Sequence, residues 1–200
     1  LSTDLEYTFM VDKNVMARFA VKAEMSNFNF TSTATMCSIT SIKDKTVSQI
    51  VIPNYVTSIW KGVFSGCFSL ESITIPFVGD SRKTASDTYQ YPLGYLFGAE
   101  SFSGGVATEQ FFPQSSATSD EPLTYYIPSS LQSVTLKRGH VSFGAFYNCT
   151  NLLSVTLEDE VTSIGKYAFF NCSSLTDIDL GEGIQSIDYL AFKNCRALTN

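Results

Sequence analysis

Val161-Thr162-Ser163-Ile164-Gly165-Lys166-Tyr167-Ala168-Phe169-Phe170-Asn171-Cys172-Ser173-Ser174-Leu175-Thr176-Asp177-Ile178-Asp179-Leu180 holds one full turn of a pattern that recurs through the chain. Its last part places apolar residues at Leu175, Ile178 and Leu180. The same spacing falls at Val47/Ile50/Ile52, Leu70/Ile73/Ile75, Leu131/Val134/Leu136 and Leu152/Val155/Leu157, and Leu198 opens another. One constant step separates Val47 from Leu70, Leu152 from Leu175 and Leu175 from Leu198. The step from Leu131 to Leu152 is slightly shorter, and that from Leu70 to Leu131 far longer. Val161 to Ile164 is echoed by Val56-Thr57-Ser58-Ile59 and Ile184-Gln185-Ser186-Ile187. Val63-Phe64, Ala145-Phe146, Ala168-Phe169 and Ala191-Phe192 form a third set, and at a fixed distance after each Phe stands Cys67, Cys149, Cys172 or Cys195.

A fixed period of about 23 residues is the signature of a solenoid. Apolar residues alternating over a few positions make a short strand with one buried face. A unit this small cannot bury that face alone, so neighbouring coils stack at strand spacing, about 4.8 Å, and share a core. The Phe column should run through that core, ring on ring.

These residues resemble the BspA-like class of bacterial leucine-rich repeats, closely over 47–76 and 128–200. The resemblance implies a mainly β, curved leucine-rich-repeat solenoid with short parallel strands. It also implies a secreted or surface-attached protein, often of host-associated bacteria, with roles in adhesion and no catalytic motif in the repeats.

The long step from Leu70 to Leu131 spans more than two periods. Leu93-Gly94-Tyr95-Leu96-Phe97 reads as Ile164 to Phe169 shortened by one position. One degenerate coil then carries two excursions within 77–127, a short one before Leu93 and a longer one between Phe97 and Leu131. With the one-position deletion, their lengths account for the whole excess. The excursions hold ten aromatics, among them Tyr89, Tyr91, Tyr95, Phe102, Phe111, Phe112, Tyr125 and Tyr126. Insertions in solenoids often carry binding, and exposed Tyr can stack on sugars or anchor a protein. A long loop also packs its own aromatics to stay ordered. Both readings stand on sequence.

Residues 1–46 fall off the period. Alternation at Leu5, Tyr7, Phe9 and Val11 and at Phe19, Val21 and Ala23, with Asp12-Lys13-Asn14 between, reads as a β-hairpin that caps the first core layer. The expected organisation is an N-terminal cap (1–46), first repeats (47–76), Tyr/Gly-rich excursions (77–127) and further repeats (128–200). The last repeat is incomplete, so the natural array is expected to continue. The chain opens on Leu1 with no basic-then-apolar leader, as expected where a signal peptide is already removed or was not included.

Composition narrows function. The 44% hydrophobic and 16% charged content of these 200 residues excludes the disordered class. A net charge of −6 argues against nucleic acid and anionic membrane surfaces as partners. No apolar run approaches the ~20 residues of a membrane-spanning helix.

The only histidine, His140, has no evident nucleophile or orienter, and reads as a surface imidazole. Zinc is not expected without a Cys-x-x-Cys pair or a second His, and no cofactor is expected. Cys149, Cys172 and Cys195 should stack one coil apart. Parallel side chains hold Cβ atoms beyond the ~3.8 Å typical of a disulfide, so a reduced structural ladder is expected, with Cys37 off the period. Asn148-Cys149-Thr150, Asn171-Cys172-Ser173 and Asn29-Phe30-Thr31 match glycosylation sequons. The first two repeat at the coil turn, where amides bonding local backbone are the structural reading.

The outward positions of the first strands run Ser72/Thr74, Ser133/Thr135, Ser154/Thr156 and Asp177/Asp179. The two aspartates could suggest acid–base or calcium chemistry, but no calcium-loop spacing accompanies them. Such a hydroxyl ladder offers an adaptable binding face without an aromatic or Arg anchor, so the excursions of 77–127 are expected to be the better place for a specific site. The expected function is non-enzymatic binding or adhesion, by a monomer, to a host or neighbouring-cell protein or glycan. The candidate residues are Tyr89, Tyr91, Tyr95, Tyr125 and Tyr126 of the excursions and Thr135, Thr156, Asp177 and Asp179 of the strand face. A spacer that holds another module away from the envelope is the second reading. A glycan hydrolase with carboxylates in the insert, ~5–10 Å apart in a cleft, is the third.

Overall fold

The computed structural model describes residues 6–10, 16–20, 27–32, 36–82, 91–111 and 122–199, the first two stretches by their backbone. They form thirteen strands and a 3-10 turn, so the molecule is mainly β. The strands are β1 (Glu6–Met10), β2 (Met16–Ala20), β3 (Phe28–Ser32), β4 (Cys37–Ile42), β5 (Gln49–Val51), β6 (Ser58–Ile59) and β7 (Ser72–Ile75). After the turn at Leu93–Leu96 come β8 (Gly105–Gln110), β9 (Leu123–Pro128), β10 (Ser133–Val141), β11 (Ser154–Ile164), β12 (Asp177–Asp179) and β13 (Ser186–Ile187).

The central sheet runs β12-β11-β10-β7-β5, every pair parallel. Its register follows the sequence period: Ile50 faces Ile73, Ile73 faces Val134, Val134 faces Val155, and Val155 faces Ile178. The long step between β7 and β10 leaves no gap, because the two strands are direct neighbours. The short step from Leu131 to Leu152 is absorbed between β10 and β11 by two register shifts, at Leu136/Arg138 and Gly139/His140, so the longer β11 bulges against its shorter partner.

Side chains from successive coils fill one core. Ile73, Ile75, Leu131, Val134, Leu136, Leu152, Val155, Leu157 and Leu175 are buried. Beside them runs the Phe column. Phe146 stacks on Phe169 at 4.9 Å and Phe169 on Phe192 at 5.1 Å, each pair 3° from parallel. Phe64 and Phe97 meet at 6.1 Å with tilted rings, so Phe97 takes the column position of the degenerate coil.

The backbone follows the same beat. The N–H of Phe146 donates to the Ala168 carbonyl and that of Phe169 to Ala191; Phe64 donates to Leu96, the residue in the Ala position of the degenerate coil. Each coil turns at two left-handed residues. The first set is Gly62, Gly144, Tyr167 and Leu190, and the second is Gly66, Asn148, Asn171 and Asn194, all at φ between 55° and 79°. Asn tolerates this conformation, which accounts for the recurrent Asn-Cys pair.

In the N-terminal part, β1 and β2 pair as an antiparallel hairpin. Leu5, Val11, Val21, Ala23 and the connecting Asp12-Lys13-Asn14 lie outside the described residues. Residues 37–39, expected off the period, join the repeat. Ser38-Ile39 pairs in parallel with Ser58-Ile59, so Cys37 precedes a second-strand position, not a cysteine-column one. The first core layer is covered by β3 and β4, which bury Phe28, Ile39 and Ile42, with the Phe28 ring edge-on to Phe64 at 6.4 Å.

The Phe column sets a prediction. Phe169→Ala should cost about 3–5 kcal/mol of unfolding free energy and Phe169→Leu well under half of that, both read from urea denaturation. Equal costs would mean that ring geometry, and not the volume filled, carries the column.

Candidate functional site

The first strands of successive coils build one repeated polar face. Register places Ser72, Ser133, Ser154 and Asp177 in one row and Thr74, Thr135, Thr156 and Asp179 in the next. All face away from the buried Ile, Val and Leu. The Ser154 hydroxyl donates to the Ser133 hydroxyl at 3.1 Å, a cross-strand pair of the expected kind. The two aspartates are exposed, and Asp179 accepts the Gly181 N–H at 3.0 Å, which fixes one oxygen at the turn. The structure therefore brings four of the candidate residues, Thr135, Thr156, Asp177 and Asp179, onto one face.

The second-strand row continues this polar surface with Ser38 against Ser58 at 2.5 Å and His140 Nδ1 against the Ser163 hydroxyl at 2.6 Å. His140, expected as a surface imidazole, is half-buried and takes a serine's place in the row. Among the described residues no group of three or more His, Cys, Asp or Glu converges as a metal site.

The tyrosines of the excursions are placed differently. Tyr89 and Phe112 lie outside the described residues. Tyr91 and Tyr95 stack on each other at 4.2 Å. Tyr95 packs against the core, and its phenol is pushed up by burial first, then by Asp80 and Tyr91. Tyr126 is half-buried in β9. Tyr125 is 1% exposed, and its expected role as a ligand contact is corrected: it is a core residue. Its ring lies over Gly94, where a Cβ would stand 2.5 Å from the Tyr125 Cβ and 2.6 Å from Gln110 Oε1, so only glycine admits it.

Gln110, which no motif marks, holds this region to the solenoid. It is fully buried in β8. Its Oε1 accepts the Gly94 N–H at 2.8 Å, and its Nε2 donates to the Tyr147 carbonyl at 2.8 Å and to Cys149 Sγ at 3.4 Å. In the regular coils, carbonyls at the Tyr147 position are met by backbone: Asn148 donates to Phe170 and Asn171 to Lys193. The Gln110 amide thus replaces a backbone N–H that the degenerate coil does not supply. A Gln at an inward position of an alternating strand was the signal available in sequence.

The five cysteines are free thiols. Cys172 donates to the Phe146 carbonyl and Cys195 to the Phe169 carbonyl, each at 3.0 Å. Each of these thiols thus adds a second donor to a Phe carbonyl one coil earlier, which already accepts the N–H of the Cys in its own coil. The sequon asparagines also bond within the fold, Asn171 Nδ2 to Asn148 Oδ1 and Asn148 Nδ2 to the Glu109 carbonyl, each at 2.9 Å.

A family model described as the BspA type leucine rich repeat region matches residues 17–86 and 139–200, with six copies. The chain belongs to the BspA-type leucine-rich-repeat family. The match begins before β4, in keeping with the strand that β4 adds to the repeat. Solved structures similar to this BspA-type chain include a leucine-rich-repeat protein of T. pallidum, 20% identical over 87% of this chain and 67% of that one, with a TM-score of 0.45. A leucine-rich cell surface protein from Faecalibacterium prausnitzii is 26% identical over 77% of this chain and 35% of that one, with a TM-score of 0.34. A leucine-rich repeat protein from Bacteroides ovatus is 24% identical over 76% of this chain and 36% of that one, with a TM-score of 0.39. This chain thus spans only part of the length of each. No curated protein matches the chain.

The BspA-type coil chemistry makes two predictions. Gln110→Leu leaves the Gly94 N–H and the Tyr147 carbonyl unpaired in the core and should cost about 2–4 kcal/mol. Urea denaturation reads the cost, and faster amide exchange at Gly94 locates it. The second concerns pH. Burial pushes the Cys67 thiol up to about 11, and burial opposed by the Gln110 bond pushes Cys149 up to about 12. The Tyr125 phenol is likewise held up to about 12, by burial first. The unfolded chain ionises these groups near their ordinary values while the fold keeps them protonated. Stability should be unaffected by them below about pH 9 and should fall progressively from there to about pH 12. Urea midpoints that stay flat over that range would contradict the assignment.

Proposed function

We propose that this chain is a non-catalytic binding protein, displayed on the cell surface or released from the cell, whose repeats present a rigid polar face to a protein or glycan partner. One observation carries the reading: the outward hydroxyls stay matched across the insertion of 77–127, Ser72 beside Ser133 and Thr74 beside Thr135. The core requires the strands to meet in register, but it does not require hydroxyls at these outward positions. The resemblance to surface-attached leucine-rich repeats supports the location.

The face suits adaptable polar recognition. Hydroxyls of Thr74, Thr135 and Thr156 give way to the Asp177 and Asp179 carboxylates at one end, so a partner with donor groups, such as sugar hydroxyls or a basic side chain, is matched along one direction. Hydroxyl rows held by parallel strands are preorganised, which lowers the ordering cost of association.

The test is an array of glycans and extracellular-matrix proteins probed with the purified chain. A hit should weaken at least about tenfold in a Thr135→Lys/Thr156→Lys variant, which adds bulk and charge to the face without touching the core. A hit indifferent to those changes moves binding off this face, and a blank array favours the spacer role.

A further inference from the structure

A second surface lies on the turn side of the last coils, away from the first-strand face. Phe111, Phe143, Tyr147, Tyr167, Phe170, Leu190 and Lys193 line a groove of about 350 Å³. One wall is a column in which Tyr147 stacks on Phe170 at 4.8 Å and 6° from parallel, with the Lys193 ammonium 5.9 Å from the Phe170 ring centre on the next coil. The Phe111 edge closes on Tyr147 at 5.0 Å. The other wall is Phe143, Tyr167 and Leu190, with Tyr167 edge-on to Phe143 at 5.7 Å and to Phe170 at 5.6 Å. Lys166 lies 5.0 Å from the Tyr167 ring centre and 5.8 Å from that of Tyr189, which is 64% exposed.

The backbone is strained to make this wall. Tyr167 and Leu190 sit at φ 57° and 55°, in the position that Gly62 and Gly144 fill in other coils. A non-glycine residue there costs about 1–2 kcal/mol. Coil geometry is met by glycine, so the large side chains answer to something other than the turn. Strain of this kind gathers at ligand sites.

We propose that this groove binds a proline-rich polypeptide segment in the polyproline II conformation, with an acidic residue meeting Lys193 and Lys166. Three observations select that occupant. Grooves lined by aromatic rings are the surfaces on which such segments dock. The ring repeat of 4.8 Å puts alternate coils about 9.6 Å apart, against about 9.3 Å per three-residue turn of polyproline II, so ligand residues three apart reach the Tyr147 ring and, two coils on, the Lys193 ammonium. Among the described residues the lining has two phenols and one ammonium but no carboxylate or amide side chain, so against these groups a sugar would surrender hydroxyl hydration that few of them replace. Two lysines at the rim of a chain carrying −6 select an acidic residue in the ligand. Within these 200 residues the six prolines, at 53, 76, 92, 113, 122 and 128, never stand three apart, so the ligand is a polypeptide segment outside them.

The experiment is fluorescence anisotropy with labelled synthetic peptides carrying proline at every third position and a flanking Asp. Their controls are a composition-matched scramble and a labelled oligosaccharide set. The expected result is saturable binding of the proline peptide, weakened at least about tenfold by Tyr167→Gly while the urea midpoint holds, since glycine is the residue other coils use at that turn. Lys193→Glu should lower affinity for the Asp-flanked peptide and raise it for an Arg-flanked one. Equal binding of the scramble, binding of the oligosaccharides at the groove, or indifference to Tyr167→Gly would each overturn the proposal. Variants of the strand face leave this readout unchanged, so the two sites fail or stand independently.

Discussion

The regular coils at Phe146 and Phe169 close on the same interaction: the backbone of the Phe is paired to the coil that follows it while its ring stacks on the next Phe. The N–H of Phe146 reaches the Ala168 carbonyl, and the Phe146 carbonyl receives the Cys172 thiol. Phe169 repeats both contacts with Ala191 and Cys195. The peptide groups flanking the ring are thereby satisfied in the driest part of the core, where an orphaned donor or acceptor costs about 1–3 kcal/mol. A thiol suits the task because it is small, nearly apolar and still donates a weak hydrogen bond. Cys172 and Cys195 thus add a second donor to carbonyls that already accept a backbone N–H, and so tighten the ladder beside the aromatic column.

That constraint explains what was legible in sequence. The period decides which residues face inward, since Leu, Ile and Phe recur at positions that only stacking coils can bury. The bridging of the long step from Leu70 to Leu131 was also readable, because Leu96-Phe97 keeps the Ala-Phe position and Leu131 resumes the strand. The roles of individual polar residues were less accessible. Gln110 substitutes for a missing backbone donor; its inward place in the alternation of β8 was readable, but the groups it meets depend on where the hairpin folds back. Tyr125 was indistinguishable in sequence from Tyr126 beside it, yet alternation in β9 sends the first into the core against Gly94. The membership of Ser38-Ile39 in the repeat was hidden because Asp44 stands where the Phe landmark would and Cys37 precedes the strand instead of following a Phe.

The same logic separates the strand face from the turn side. Positions on the strands are dictated in pairs by register, so a change at Thr135 is felt by Thr156, and the face changes as rows. Positions at the turns are freer, because the left-handed backbone asks only for a residue that tolerates it. Gly62 and Gly144 meet that demand at no steric cost, whereas Tyr167 and Leu190 meet it under strain and use the freedom for side chains that project from the solenoid.

An insertion into such an array must either break the ladder or be stitched to it, and here the stitching is visible atom by atom. The β8–β9 hairpin delivers Gln110 to the place where a coil's own N–H would stand, Asn148 Nδ2 ties back to the Glu109 carbonyl, and Leu93 donates to the Ala145 carbonyl that Phe97 leaves unused. Each bond replaces one that the regular period supplies, so β7 and β10 meet in register as though nothing intervened. The consequence runs in the other direction too. Phe111, next after Gln110, is carried to the edge of Tyr147 by the amide that anchors the hairpin. A device that preserves the core therefore also sets the end wall of the aromatic groove, and the excursion is coupled to the surface chemistry of coils that lie far from it in sequence.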